Sequence, residues 1–262
     1  MSTDSLELAL LKTKEDTLKV KLLAELSFRY AFNQPEKGLS YSRQCLLLAQ
    51  NLNYKEGVAN ANQSWAWCLW AIGDFSNSLQ LALKSLHQYE DLMNWEQIGW
   101  LHLTLAVIYR DIGGYKNAWI YMHRGIPVYN SLHLSLRIPF AVTASIYEKQ
   151  DQLDSALVYT QKARALDLKE TGGKWGFLYT LLGNIHTKRG HYDTALTNYR
   201  NALQLTVAAN IKKDIVDIYN SLATLYKTMG KPDSGIYYAS EVLQKGGLPL
   251  IKKGYWKPLI FW

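Results

Sequence analysis

A turn motif returns along this chain about every forty residues, and that period leaves few folds open to it. Gly73-Asp74-Phe75, Gly113-Gly114-Tyr115, Asp151-Gln152-Leu153, Gly190-His191-Tyr192 and Gly230-Lys231-Pro232 succeed one another at steps of 40, 38, 39 and 40 residues, and Asn33-Gln34-Pro35 lies 40 residues before the first. The stretches between them carry apolar residues at helical spacing. Helical hairpins repeated at such a period cannot each bury an apolar face alone, so they stack in a line and present one long surface. The sequence predicts an all-α array of six hairpins over residues 1–245.

The fifth copy shows the logic residue by residue. Tyr179, Leu182, Gly183 and His186 recur at three- and four-residue spacing and share one helix face. Gly190 ends that helix, because glycine accepts the positive φ needed just past a helix terminus, and Asp193 or Thr194 is placed to help start the next. In the second helix Ala195, Tyr199 and Ala202 lie on one face, two small residues around one ring, which lets paired helices approach closely. Hydrophobic residues at 48% and charged residues at 19% exclude a disordered chain. A repeat array has no central core to outgrow, so 262 residues read as one domain.

These residues resemble a tetratricopeptide repeat, whose helix pair shows an aromatic, a Leu-Gly pair, a second aromatic, a Gly-x-Tyr turn, then Ala, an aromatic and Ala. The pattern recurs in Trp65, Ala66, Gly73, Phe75 and Ser78, in Ala106, Tyr109, Gly113, Tyr115 and Ala118, and in Ala144, Tyr147, Leu153, Ala156 and Ala163. Tyr219, Leu222, Ala223, Tyr226, Gly230 and Gly235 show it again, and Leu26, Ser27, Tyr30 and Gly38 fit it with a turn one residue shorter. The resemblance covers residues 17–245 and implies a right-handed α-solenoid superhelix, with hairpins near 17–54, 55–94, 95–133, 134–173, 174–210 and 211–245. Its spacing exceeds the commoner repeat of about 34 residues. In this it is similar to tetratricopeptide arrays of bacterial sensory regulators and peptide-binding scaffolds. The stretch from Lys14 to Leu26 resembles the lead-in to arrays that precede histidine-kinase or DNA-binding modules.

Two regions depart from the pattern. Gly125 stands where a packed alanine is expected and Pro127 follows it, so the third and fourth copies should meet irregularly, through a kink at Pro127 or an early helix end. Pro139 then falls in the first turn of the next helix, where proline is tolerated. Residues 246–262 form an aromatic tail ending Tyr255-Trp256-Lys257-Pro258-Leu259-Ile260-Phe261-Trp262. Rings in such number call for cover. The tail is expected to fold back over the sixth hairpin or mediate self-association, the remaining reading being the stub of a longer chain.

In the register that the resemblance implies, first helices line a concave groove. Its exposed positions are then Phe28, Asn60, Gln63, Trp67, Trp70, Trp100, Leu103 and Arg110, followed by Ser145, Glu148, Phe177, Thr180, Asn184, Lys188, Asn220, Thr224 and Lys227. The expected partner is a protein or peptide. Trp67, Trp70 and Trp100 would hold its apolar side chains, since large rings bury much area while losing little rotamer freedom, and Asn184 and Asn220 would pair with its backbone. The competing reading packs these tryptophans between adjacent first helices. The function that follows is a non-enzymatic binding scaffold. Its alternative is the sensory or regulatory segment of a bacterial signalling protein, a histidine kinase or transcription regulator, without its output module.

Other chemistry finds little support. Arrays that grip acidic chaperone tails use Lys, Asn and Arg on three consecutive first helices, and here Trp67 and Val107 occupy corresponding faces. The six histidines show neither HExxH spacing nor a Cys-His cluster, so no metal or cofactor is expected. Thr171-Gly172-Gly173-Lys174 lacks phosphate-loop spacing and a preceding strand, and no residue sits in a nucleophile elbow. The net charge of +7 is scattered, with Arg110 and Lys227 interspersed with Glu148 and Asp217, which argues against nucleic acid. Cys45 and Cys68 read as buried thiols, a disulfide being the alternative. The apolar runs are too short to span a bilayer, and the expected location is cytoplasmic, or periplasmic if a signal peptide was removed.

Overall fold

The computed structural model describes residues 3–245, so the expectation for the tail at 246–262 lies outside the described residues. Every regular element among the described residues is a helix. A leading helix, α1 (Thr3–Lys12), precedes six hairpins: α2 (Thr17–Ala31) with α3 (Pro35–Asn51), α4 (Lys55–Ala71) with α5 (Phe75–Asp91), α6 (Trp95–Asp111) with α7 (Tyr115–Ser131), α8 (Arg137–Lys149) with α9 (Leu153–Thr171), α10 (Gly176–Lys188) with α11 (Tyr192–Ala208), and α12 (Lys212–Thr228) with α13 (Pro232–Lys245). Where the sequence reads as one domain, the contacts form two compact units, divided between Leu132 and His133. In the first unit α4 packs on α2 as well as on its own partner, and in the second α10 touches both α8 and α12. These first helices are therefore neighbours within their units.

Three residues join the helices of every hairpin, including the first, whose turn is not shorter than the rest. The middle residue enters the left-handed region at Gly73, Gly113, Gly190 and Gly230, and at Asp151 with φ of 59°. The next N–H then reaches back to a carbonyl five residues earlier, as from Asp74 to Leu69 and from His191 to His186, each at 2.9 Å. This closure satisfies carbonyls that a helix end would leave orphaned. So short a turn puts the capping position of α11 on His191, which makes no side-chain cap bond. Asp193, expected to cap, instead lies in the first turn, where its charge meets the positive end of the helix dipole.

Pro127 does not interrupt α7, which runs through it to Ser131. Both Pro127 and His123, whose carbonyl loses its usual donor, are exposed, so water can replace the missing bond. The irregularity falls after the helix, where five residues connect to α8 instead of the three that follow α3, α5 and α11.

Small residues facing rings set the helix separation. Ala195, Tyr199 and Ala202 are all buried against the first helices around them. A Cβ added at Gly183 would lie 2.4 Å from Cε1 of Tyr199, so only glycine permits this approach. Cys45 and Cys68 are free and buried, which decides for thiols over a disulfide, and burial pushes both up to about 12.

The helix α1 went unread in the sequence. It is fastened by Leu6 against Leu26 and Tyr30 and by one oxygen of Glu7, which accepts from Tyr41 at 2.7 Å and Tyr30 at 2.9 Å and meets Lys37 Nζ at 2.6 Å. These donors, Lys37 first, hold the Glu7 carboxyl at about 2.

Two outcomes follow. Gly183→Ala should lower stability by about 1–3 kcal/mol through overpacking against Tyr199, read by thermal or denaturant unfolding. His102, buried on α6, is held neutral mainly by burial and also by Arg124, with its value lowered to about 4. Its unfolded value is about 6.5, so between these limits the unfolded chain binds more protons and the fold loses stability as pH falls. The melting temperature should decline from about pH 6.5 to about pH 4, and His102→Gln should flatten that slope.

Candidate functional site

Three successive first helices of the first unit bring five rings together. Phe28 lies on α2 and Phe32 caps its end, Trp67 and Trp70 stand one turn apart on α4, and Trp100 comes from α6. Trp67 is the hub, with ring centroids 6.2 Å from Phe28, 5.8 Å from Phe32, 5.1 Å from Trp70 and 6.4 Å from Trp100. Its neighbours are edge-on or tilted, a geometry favoured by the ring quadrupole.

Burial corrects part of the expected groove. Trp67 is only 8% exposed and Gln63 7%, and Leu103, Ser145, Glu148 and Thr180 are buried too. Within each unit a first helix packs on its hairpin partner and on neighbouring helices, which leaves a narrower open strip than helical periodicity suggests. Phe28, Phe32, Asn60, Trp70, Trp100 and Arg110 remain partly exposed. Trp67 thus takes the packing role held open in the sequence, while Trp70 and Trp100 stay partly open to solvent.

The polar groups around the rings divide into two kinds. The Trp70 indole N–H donates to Asp111 at 2.8 Å, and Arg110 Nε donates to the same carboxylate at 2.8 Å, so this charge pair closes one side of the cluster. Trp67 Nε1 and Gln63 Nε2, by contrast, are sealed from solvent without a hydrogen-bond partner. Phe32 and Asp111 were missed in the sequence. Phe32 follows Phe28 by four residues, the spacing of a shared helix face, but it lies in the turn beyond α2.

The second unit holds the remaining candidates. Phe177 lies against Trp175, centroids 5.5 Å apart, and packs on the buried core. The side-chain oxygen of Asn184 accepts from Tyr199 at 2.8 Å, which engages part of the amide expected to read a ligand backbone. Lys188 is tied to the buried Glu148 at 2.9 Å and to Asp151 at 2.7 Å. Asn220 is partly exposed, and Thr224 and Lys227 are exposed on the same helix. The rings and these polar groups therefore belong to separate clusters, one in each unit.

No known family's sequence profile matches this chain, and no curated protein matches it. Among solved structures, the apo form of RapI superposes with a TM-score of 0.71 at 17% identity, over 95% of this chain and 89% of that one. A Rap conjugation gene regulator of plasmid pLS20, in complex with the Phr* peptide, gives 0.68 at 11% identity over 92% and 75%. Nearly identical TPR-like repeats from Podospora anserina give 0.51 at 15% identity over 75% and 99%. The chain has the fold of tetratricopeptide-type helical repeats. At these identities the likeness establishes the fold. Among the described residues of this repeat protein no helix is long and apolar enough to cross a membrane.

If Trp67 is the hub, Trp67→Ala should cost about 3–5 kcal/mol, and the partly exposed Trp100→Ala about half of that or less. Denaturant unfolding of the two variants measures the contrast, and equal losses would refute it.

Proposed function

We propose that this repeat protein is a non-catalytic scaffold that binds a peptide or an extended segment of a protein on its first-helix face. The observation that carries the reading is the convergence of five rings from three consecutive repeats, four of them still partly open. Anchors of this type concentrate binding energy in a few aromatic residues. The pLS20 regulator, of the same fold, is bound to a peptide in its structure, which supports the same ligand class here. Phe28, Trp70 and Trp100 are the proposed anchors in the first unit. Asn184, Asn220 and Lys227 form a proposed polar contact in the second, with Phe177 beside them.

Charge supports a peptide over nucleic acid. Up to Leu132 the chain has twelve basic and twelve acidic residues, so the unit carrying the rings is electrically balanced. A phosphate backbone would instead require a basic track beside them. The Rap likeness also supports the second reading, a sensory or regulatory segment of a bacterial signalling protein in which occupancy of this face is passed to an output module.

A displayed library of random peptides tests the scaffold. Enriched peptides should bind at about micromolar strength, and Trp100→Ala or Phe28→Ala should weaken them about tenfold or more while the variants stay folded. Failure to enrich any peptide, or undiminished binding by both variants, would overturn it.

A further inference from the structure

We infer that the ring cluster is a closed site for an extended peptide, in which Trp67 and Gln63 keep N–H donors for a main-chain carbonyl while Phe28, Phe32, Trp70 and Trp100 receive a bulky aliphatic side chain. This deepens the scaffold reading above and rests on it.

An indole nitrogen can only donate, so whatever meets Trp67 Nε1 must be an acceptor. That atom is buried with no acceptor near it, at the centre of the cluster. Gln63 lies one turn earlier on the same face of α4, and its Nε2 is in the same condition. Leaving a buried donor unmade is costly, and here two of them stand one turn apart on one helix, beside the rings. Trp70, on the same helix, shows the ordinary solution by donating to Asp111. A ligand acceptor would relieve Trp67 and Gln63 together, so part of the binding energy is already stored as an unmet requirement of the free protein.

The kind of acceptor follows from charge. Arg110, the cation beside the rings, is already neutralised by Asp111, and among the described residues no other lysine or arginine is paired with these rings, so a neutral carbonyl fits better than a carboxylate. The side chain follows from ring geometry. Phe28 and Phe32 meet at 81°, Phe28 and Trp67 at 88°, and Trp67 and Trp70 at 82°. Rings crossed in this way leave no parallel faces between which another ring would stack, whereas a branched aliphatic chain makes dispersion contacts with edges and faces alike. Because the donors are sealed, entry requires a partly exposed ring, Phe28 or Trp100, to swing aside. Binding is thereby coupled to a shift between closed and open ring arrangements.

The test uses the full chain with nitrogen-15 labelling and observes the indole N–H signals, assigning Trp67 by its loss in Trp67→Phe. The probes are N-acetyl-Gly-Leu-Gly-amide, its alanine counterpart, and the leucine peptide with a free C-terminal carboxylate. The leucine amide should move the Trp67 signal downfield and slow its exchange with solvent, and the alanine peptide should do so less. Gln63→Met should weaken that peptide about tenfold while the melting temperature holds or rises, because an unsatisfied buried donor has been removed at nearly constant volume, and Trp67→Phe should weaken it as much. A Trp67 signal unmoved by the leucine amide overturns the inference. So does a lower melting temperature in Gln63→Met, or tighter binding of the free acid than of the amide. Library peptides that depend on Trp100 but leave the Trp67 signal in place would defeat this inference alone and leave the scaffold standing.

Discussion

The close approach of small residues across paired helices, as between Gly183 and the ring of Tyr199, governs this structure. At Gly183 the contact with Tyr199 is so close that a single added carbon would collide with the ring. The Tyr199 hydroxyl in turn donates to Asn184 at 2.8 Å, which ties the ring to the helix it packs on. Contacts of this sort fix how far apart paired helices stand, and hence the distance at which the next first helix can pack. Short left-handed closures complete the arrangement, since each hairpin must reverse within three residues.

The ring cluster is a consequence of that register. Repeats of about forty residues set Phe28, Trp67 and Trp100 on consecutive first helices, close enough for their rings to touch. Packing does not close the cluster completely. Trp67 fills the space between helices, while the less buried rings around it keep part of their surface open, the surface on which the proposed binding rests. The same helix supplies a tryptophan whose N–H has found a carboxylate and one whose N–H has found nothing, a difference that hydrophobic packing alone does not account for.

Buried carboxylates in the second unit are met by cations both within a hairpin and between hairpins. Asp167, almost wholly buried on α9, accepts from Arg137 Nη1 at 2.9 Å, Thr171 at 2.7 Å and the backbone N–H of Trp175 at 3.1 Å. It thereby links α8 and α9 to the entry of α10. Glu148 is likewise met by Lys188 from the following hairpin. Removing one member of such a pair would strand a buried charge, so these contacts pin the geometry more than they add net stability.

The sequence by itself determined the helical hairpins, their period, the position of each turn and the small-and-large face of each helix pair. These depend on local rules: helical spacing, residues able to adopt positive φ, and volume matched over three or four residues. Tertiary structure decided how much of each face stays open, because burial depends on neighbours about forty residues away. It placed Gln63 and Trp67 inside rather than on the surface, brought Phe32 out of a turn into the cluster, and fastened α1 through Glu7. It also engaged Asn184 and Lys188 with partners of their own. Periodicity tells which side of a helix faces its partner hairpin, but only packed neighbours determine which polar atoms on that side are satisfied and which, like Trp67 Nε1, are left without an acceptor.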